Sequence, residues 1–242
     1  MYTTRLINSG ECMTLSIEQA RQIIEEFRQK ELALGIVTPQ QLEGHLNHIN
    51  GAAYIARAIA QAITSKLPEI NSDEVYVSTL LHDIGRLEEP RVNRFHGIIG
   101  YEKLKERDEN AARTALIHMF PLGKLPPFEL CSDLFLGEQG QQDYDFVANY
   151  LKKTPLTEGD LLIQLADCLA NKDGFVTLDQ RFTEYQERHH IILPKELRIP
   201  RYQLKNRFDQ ILGHSVYDLF PKTENISTLT LYERKFYEKK YL

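Results

Sequence analysis

The chain has 242 residues, of which 42% are hydrophobic and 26% are charged, a composition ordinary for a soluble globular protein. Its formal net charge is −5, so it lacks the basic excess of a general nucleic-acid binder. It contains no run of roughly 18 apolar residues that could span a membrane, and its first residues lack the pattern of a secretion signal. We therefore expect a cytoplasmic protein with no nucleic-acid and no membrane partner.

The hydrophobic residues recur with helical spacing along most of the chain, which predicts an all-α fold. Ser16 is the candidate N-cap of the first helix, and Asn71 opens the helix that contains EVYVSTLLHDIG and is expected to stop at Gly85. Asn50-Gly51 resembles a hairpin turn, but the helical pattern continues on both sides of it. The predicted helices are SIEQARQIIEEFRQKELAL, HLNHINGAAYIARAIAQAITSKL, EVYVSTLLHDIG, HGIIGYEKLKERD, NAARTALIHMF, EGDLLIQLADCLANKDG, LDQRFTEYQERHH and LKNRFDQILGHSVYDLF.

Two segments depart from this regular pattern. The stretch from Pro121 onward, PLGKLPPFELCSDLFLGEQGQQ, is the least regular part of the chain, and long loops in compact domains are often functional. The pattern leaves open whether residues 121–140 form a lid. The tail LTLYERKFYEKKYL mixes aromatic and basic residues, and we interpret it as a docked C-terminal helix rather than a membrane or nucleic-acid surface.

Cys12, Cys131 and Cys168 are far apart and form no CxxC pair. Neither a disulfide framework nor a thiolate zinc site is therefore predicted. We expect reduced thiols.

Several histidines stand among apolar or small residues of the predicted helices. His48 shares a helix face with Gly51 and Ile55, His82 follows two leucines, and His118 lies in TALIHMF. A buried imidazole is costly unless it is hydrogen-bonded, paired or bound to a metal, and a single one is usually a satisfied core residue. Several of them together with a carboxylate favour a metal site, and nitrogen plus oxygen ligands suit Zn, Fe, Mn, Co or Ni.

Two carboxylates are candidates to complete such a site. Asp83 directly follows His82, and neighbours on a helix point about 100° apart, so one ion collects both most easily near a helix end. Asp167 lies off the most apolar face of its helix, so its spacing alone favours a solvated carboxylate. His45 is three residues before His48 on the same face and is an alternative to it as a ligand.

The ordered set NHINGAAYIARAIA, LLHDIG, FHGIIGYEKL, TALIHMF and LLIQLADCLA resembles the HD-domain superfamily of metal-dependent phosphohydrolases, over roughly His48 to Asp167. The His-Asp pair followed by Ile-Gly is its most specific part. The pattern is similar to small bacterial HD hydrolases, both uncharacterised members and those that cleave diadenosine polyphosphates. It lacks the GYP element of cyclic-dinucleotide phosphodiesterases. It also lacks a basic tail or a nucleotidyltransferase partner domain, which weakens a tRNA or alarmone role.

The resemblance implies a single-domain, all-α helical bundle, with an HD catalytic core at about 40–175 and a C-terminal helical extension at about 176–242. It implies that His48, His82, Asp83 and Asp167 bind a first metal ion and that Asp83 bridges to a second. His82 and Asp83 are the catalytic pair. His96 and His118 match the histidines that bind a second metal or contact phosphate.

The implied chemistry is hydrolysis of a phosphate ester or phosphoanhydride of a nucleotide or related small molecule. One or two divalent ions, of Fe, Mn, Co, Ni or Zn, with Mg as a further option, would lower the pKa of water to about 7 and clamp phosphoryl oxygens. Arginine binds phosphate through paired donors, so Arg86, Arg91 and Arg94 are candidates for substrate binding.

Two other functions fit the same residues. A few proteins with this fold are di-iron oxygenases, which bound iron and substrate-dependent oxygen uptake would identify. Others are non-enzymatic ligand-sensing modules, but an intact ligand set argues against that role. The sequence leaves open the substrate, the metal and the oligomeric state.

Overall fold

The computed structural model describes residues 14–35 and 37–220, and the described part of the chain is almost entirely helical. The predicted all-α fold is confirmed, with one two-stranded hairpin as the described β structure. Single 3₁₀ turns lie at Pro121–Gly123 and Val216–Leu219. The described elements are α1 (Ile17–Ala33), α2 (Pro39–Ile63), α3 (Ser72–Leu81), α4 (Glu89–Val92), α5 (His96–Leu104), α6 (Glu109–Ile117), α7 (Phe128–Cys131), α8 (Gly140–Lys153), α9 (Glu158–Cys168), β1 (Ala170–Asn171), β2 (Gly174–Phe175), α10 (Leu178–His189) and α11 (Lys195–Leu212).

The helix starts follow local capping chemistry. The Ser16 hydroxyl accepts a hydrogen bond from the backbone N–H of Gln19, and the Gln19 side chain in turn accepts one from the Ser16 N–H. The Asn71 side chain accepts bonds from the N–H groups of Asp73 and Glu74. Such caps satisfy N–H groups that have no partner within the helix, so both predicted N-caps are confirmed.

Helix α2 runs through the centre of the bundle and packs against α3 on one side and α9 on another. Its buried surface alternates small and branched residues, among them Ala52, Ala56, Ile55 and Ile59, all fully buried. The alanines let the neighbouring helices approach closely, and each buried isoleucine contributes about 1.5–3 kcal/mol. This central packing fixes α3 and α9, which together with α2 carry most of the candidate ligands.

The C-terminal helices pack into the same hydrophobic core as α2 and α9. Phe182 of α10 and Leu204 and Phe208 of α11 are buried in one cluster with Ile55 and Leu165. Helix α11 also contacts the 3₁₀ turn that follows His118. The described part of the predicted extension therefore supports the helices that carry the site.

Several predicted boundaries were wrong. Helix α3 ends at Leu81, and residues 82–88 continue as successive i→i+3 turns instead of a helix running to Gly85. The end of the predicted helix EGDLLIQLADCLANKDG is the β1–β2 hairpin, whose turn uses Gly174 at φ +124°. Helix α11 begins at Lys195 and runs through Pro200, well before the predicted start. The interpreted tail helix and Cys12 lie outside the described residues.

No helix in the described ranges combines the length and the apolar character needed to cross a membrane.

Candidate metal centre

The predicted ligands come together because five of them lie at or just after helix ends that converge beside α2, while His48 lies within α2 itself. His82 and His118 are the C-cap residues of α3 and α6, His96 is the first residue of α5, and Asp167 is in the last turn of α9. The i→i+3 turns that follow α3 carry Asp83 to the same place as His82. Six side chains from five segments thereby surround one point, and these are the six that the resemblance implied, His48, His82, Asp83, His96, His118 and Asp167.

Asp83 lies at the middle of this cluster, with its two oxygens facing different histidines. Its Oδ1 atom is 3.2 Å from Nε2 of His96 and 3.4 Å from Nε2 of His118. Its Oδ2 atom is 3.8 Å from Nε2 of both His48 and His82. A carboxylate that divides its oxygens between two pairs of imidazoles has the arrangement of a bridging ligand.

Asp167 closes the other side of the cluster. Its Oδ1 atom lies 3.1 Å from Nε2 of His48 and 3.5 Å from Nε2 of His82. The cluster contains two groups of potential ligands, and within each group the ligand atoms lie within 4.8 Å of one another. One group is His48, His82 and Asp167, and the other is His82, Asp83 and His118, so His82 belongs to both. Only 18% of the Asp167 side chain is exposed, so its spacing wrongly suggested a solvated carboxylate.

Three of the histidines are oriented by contacts at Nδ1. Nδ1 of His82 lies 2.6 Å from the Thr79 carbonyl oxygen, and Nδ1 of His118 lies 2.9 Å from the Ala115 carbonyl oxygen. Since a carbonyl only accepts, each Nδ1 carries a proton and donates it, and in the neutral imidazole each Nε2 is left with its lone pair. Such contacts fix the tautomer and the ring direction of metal-binding histidines.

His96 is held in the same way by a carboxylate. Its Nδ1 lies 3.1 Å from Oε1 of Glu89 and 3.1 Å from Nη1 of Arg86. With Nε2 turned to Asp83, we assign the proton to Nδ1, which then donates to Glu89. Sequence reasoning missed Glu89, although an acidic residue between the His-Asp pair and the next histidine was a usable signal.

Charge and burial oppose each other throughout the cluster. Burial alone would lower the pKa of His82, but the negative charges of Asp83 and Asp167 outweigh it and raise that pKa to about 9. Burial would raise the pKa of Asp83 and of Asp167, yet the adjacent histidines hold both carboxyls well below their usual range. For His118, burial dominates and lowers its pKa. The cluster therefore stabilises positive charge between the two carboxylates.

These residues fit a divalent cation. His82 is fully buried, and its Nε2 atom has no hydrogen-bond partner, since Asp167 at 3.5 Å is close enough to act through its charge but not to accept a good bond. A buried nitrogen without a partner is rare and needs an explanation. A cation bound to Nε2 supplies one, and imidazole plus carboxylate is the ligand chemistry of transition metals.

The remaining candidates lie around this cluster. His45 is half-buried, and burial lowers its pKa to about 4; it lines a small cavity between α1 and α2, and His48 is the residue that reaches Asp167. His189, His190 and His214 are exposed.

The three predicted arginines differ in their contacts. Arg86 is half-exposed beside His96 and Glu89. Arg91 is 3.7 Å from Glu88, and the guanidinium of Arg94 donates to both Asp143 and Glu102. Binding of substrate by these residues stays a prediction.

A buried amide that sequence reasoning missed holds the backbone around His118. Gln164 is fully buried, its Oε1 accepts a hydrogen bond from the Leu122 N–H at 3.0 Å, and its Nε2 donates to the Ile117 carbonyl at 3.1 Å. The segment after His118 is thereby tied to α9, the helix of Asp167. Phe135, in the second half of the irregular segment, packs against Phe95 and Phe120, so this part of the segment is packed into the protein.

Comparison with known proteins gave one match. A family model described as HD domain matches residues 46–172, just over half of the chain, and this range contains all six clustered side chains. No curated protein and no solved structure matches the chain.

Proposed function

The chain belongs to the HD-domain family, and from that membership and the site we propose that it is a metal-dependent phosphohydrolase. Its substrate is a nucleotide or a related small phosphate, and a dinucleoside polyphosphate is one member of that class. The observation that carries the proposal is the buried, unpartnered Nε2 of His82 between two carboxylates. A nitrogen held between two carboxylates in this way is placed to share a cation with them.

The residues of the site divide into two groups of ligands. His48, His82 and Asp167 would hold one ion, and Asp83 with His96 and His118 would hold a second, with Asp83 shared between them. Bound divalent ions supply positive charge that lowers the pKa of water to about 7 and stabilises phosphoryl oxygens. The carbonyls of Thr79 and Ala115 and the carboxylate of Glu89 keep the imidazoles in the ligand orientation.

Arg86 is the arginine that we propose binds the phosphate group of the substrate. It is half-exposed at the edge of the cluster, and its other guanidinium donors have no partner among the described residues, so they could bind a phosphate through two parallel hydrogen bonds. In the proposed reaction one water molecule is consumed, a P–O bond breaks, and a proton passes to the leaving oxygen.

The test is a substrate panel with the full chain. Purified protein is loaded separately with Mn, Co, Ni, Zn, Fe and Mg, and release of phosphate or nucleoside is measured from mononucleotides, deoxynucleotides, cyclic nucleotides and dinucleoside polyphosphates. We expect release from at least one substrate class, lost in His82→Ala and retained in His214→Ala, which changes an exposed histidine. No release with any metal would overturn the proposal, as would iron-dependent oxygen uptake without phosphate release.

A further inference from the structure

A second cleft lies at the ends of α3, α6 and α9 that are remote from the metal ligands. Its volume is about 290 Å³, and the first turns of these three helices form its walls. Each helix carries a candidate ligand at or near its C-terminal end, so the cleft and the metal centre lie at opposite ends of the same three helices. We call it the lower cleft.

The floor of the lower cleft is one helical turn from the metal centre. Ser78, Thr114 and Ile163 line it, and each precedes a ligand by four residues: His82, His118 and Asp167 respectively. Four residues of helix rise about 6 Å, so the cleft stops short of the ligands. The lower cleft is therefore a separate site and not the far side of the metal centre.

Two buried residues on this floor carry hydroxyl groups that have no described hydrogen-bond partner. Ser78 is 6% exposed and Thr114 is 3% exposed, and among the described residues neither side chain makes a hydrogen bond. Helical serine and threonine commonly bond back to the preceding turn, as Thr79 does to the Val75 carbonyl. Unpaired hydroxyls of buried residues that line a cavity are suited to a polar ligand.

The charged side chains that line the lower cleft differ in whether they are already ion-paired within the protein. The one positively charged side chain in its described lining, Arg113, is ion-paired with Asp160, and Glu158 is paired with Arg207. Glu69 and Glu74 line the cleft, are exposed, and form no ion pair with any described residue. Among the described residues, the groups left for a ligand are two carboxylates at the rim, two hydroxyls on the floor, the Asn110 amide and the Nε–H of Arg113, whose charge is offset by Asp160.

We propose that the lower cleft binds a small organic cation with two amino groups. One ammonium group pairs with Glu69 and Glu74, and the second amino group donates hydrogen bonds to the hydroxyl oxygens of Ser78 and Thr114. A single metal ion is too small to fill this cleft, because the cleft has a volume of about 290 Å³ and even a water molecule takes up only about 30 Å³ in the liquid. The distance of one helical turn between Glu74 and Ser78 suits an extended chain of a few carbons.

The experiment is calorimetric titration of the full chain with 1,4-diaminobutane, with 1,4-butanediol as the neutral analogue and succinate as the anionic one. We expect saturable binding of one diamine per chain, at least tenfold weaker binding of the diol, and no binding of succinate. Absence of saturable diamine binding would overturn the proposal, and so would equal affinity for the diol.

Two variants locate the binding. Thr114→Val keeps the side-chain shape while removing an unpaired hydroxyl, so the protein should fold, and Glu74→Gln keeps the oxygen that accepts from Asn71. We expect each to weaken diamine binding about tenfold. Glu138→Gln, an exposed acid in the segment before α8, should bind as the unchanged chain does. Unchanged diamine affinity in both Thr114→Val and Glu74→Gln would place the ligand elsewhere and refute the site.

Discussion

Gly85 lies against the carbonyl oxygen of His96 so closely that a Cβ atom at Gly85 would overlap it. The same atom would lie 2.8 Å from the Gly100 nitrogen and 2.9 Å from Cβ of Ile99. All three contacts are in α5, which begins at His96. The glycine of the His-Asp-Ile-Gly run therefore sets how close α5, and with it the His96 ligand, comes to Asp83.

Gly85→Ala should lower both stability and metal affinity, because the backbone of His96 must move away. Overpacking of this kind costs about 1–3 kcal/mol of unfolding free energy. Gly51→Ala is the matched control. A Cβ atom at this position would lie an ordinary 3.9 Å from Cβ of Ala170, and the substitution removes a glycine from the middle of a helix. It should raise the unfolding free energy by about 0.5–1 kcal/mol. Urea denaturation measures both, and equal effects of the two substitutions would contradict this account.

Substitution at Asp83 should remove more metal than substitution at His118. The two oxygens of Asp83 face all four surrounding histidines, whereas His118 contacts only the Oδ1 atom of Asp83. We expect Asp83→Ala to lose all bound metal and His118→Ala to keep the ion at His48, His82 and Asp167. Elemental analysis of purified variants gives the stoichiometry, with exposed His214→Ala as the control. Full metal content in Asp83→Ala would show that the site is elsewhere.

Arg86→Ala should raise the KM for a phosphate substrate about tenfold or more and leave the metal content unchanged. The reason is that Arg86 contacts His96, a candidate metal ligand, at Nδ1, whereas the nitrogen of His96 that faces Asp83 is Nε2. Losing a charge-assisted hydrogen bond costs about 1.5–3 kcal/mol. Steady-state kinetics with elemental analysis tests this, and Arg107→Ala, exposed after α5, is the control. A lower kcat at unchanged KM would assign Arg86 another role.

Glu31 should make stability depend on pH. The residue is 1% exposed, and burial, followed by the negative charge of Glu88 and a hydrogen bond to it, raises the pKa of its carboxyl. An acid with a higher pKa in the folded state destabilises the fold once ionised. That cost is fully present above the folded pKa and disappears as pH falls below the unfolded value of 4.5.

Glu31→Gln should therefore stabilise the protein at pH 7.5, on the order of 1 kcal/mol, and give almost no gain near pH 4. Denaturation at the two pH values measures the difference. Glu26→Gln, exposed on the same helix, should have no such pH-dependent effect. A gain for Glu31→Gln that is larger at low pH would reverse the assigned sign.

The sequence by itself determined the helical class and most of the candidate ligand set. Helical spacing, caps such as Ser16 and Asn71, and the order of His48, His82–Asp83, His96, His118 and Asp167 are local properties that the chain carries whatever its neighbours are. Asp167 was identified only by resemblance, because the face of a helix that is buried depends on what packs against it.

The tertiary structure decided how those residues are oriented and connected. The carbonyls of Thr79 and Ala115 and the carboxylate of Glu89 orient the rings of His82, His118 and His96, and packing against α2 brings the helix ends that carry these rings together. The same holds for Gln164, which joins α9 to the segment after His118, and for the lower cleft, whose walls come from three separate helices. Contacts between residues far apart in the chain leave no periodic signal, so only the folded chain shows them.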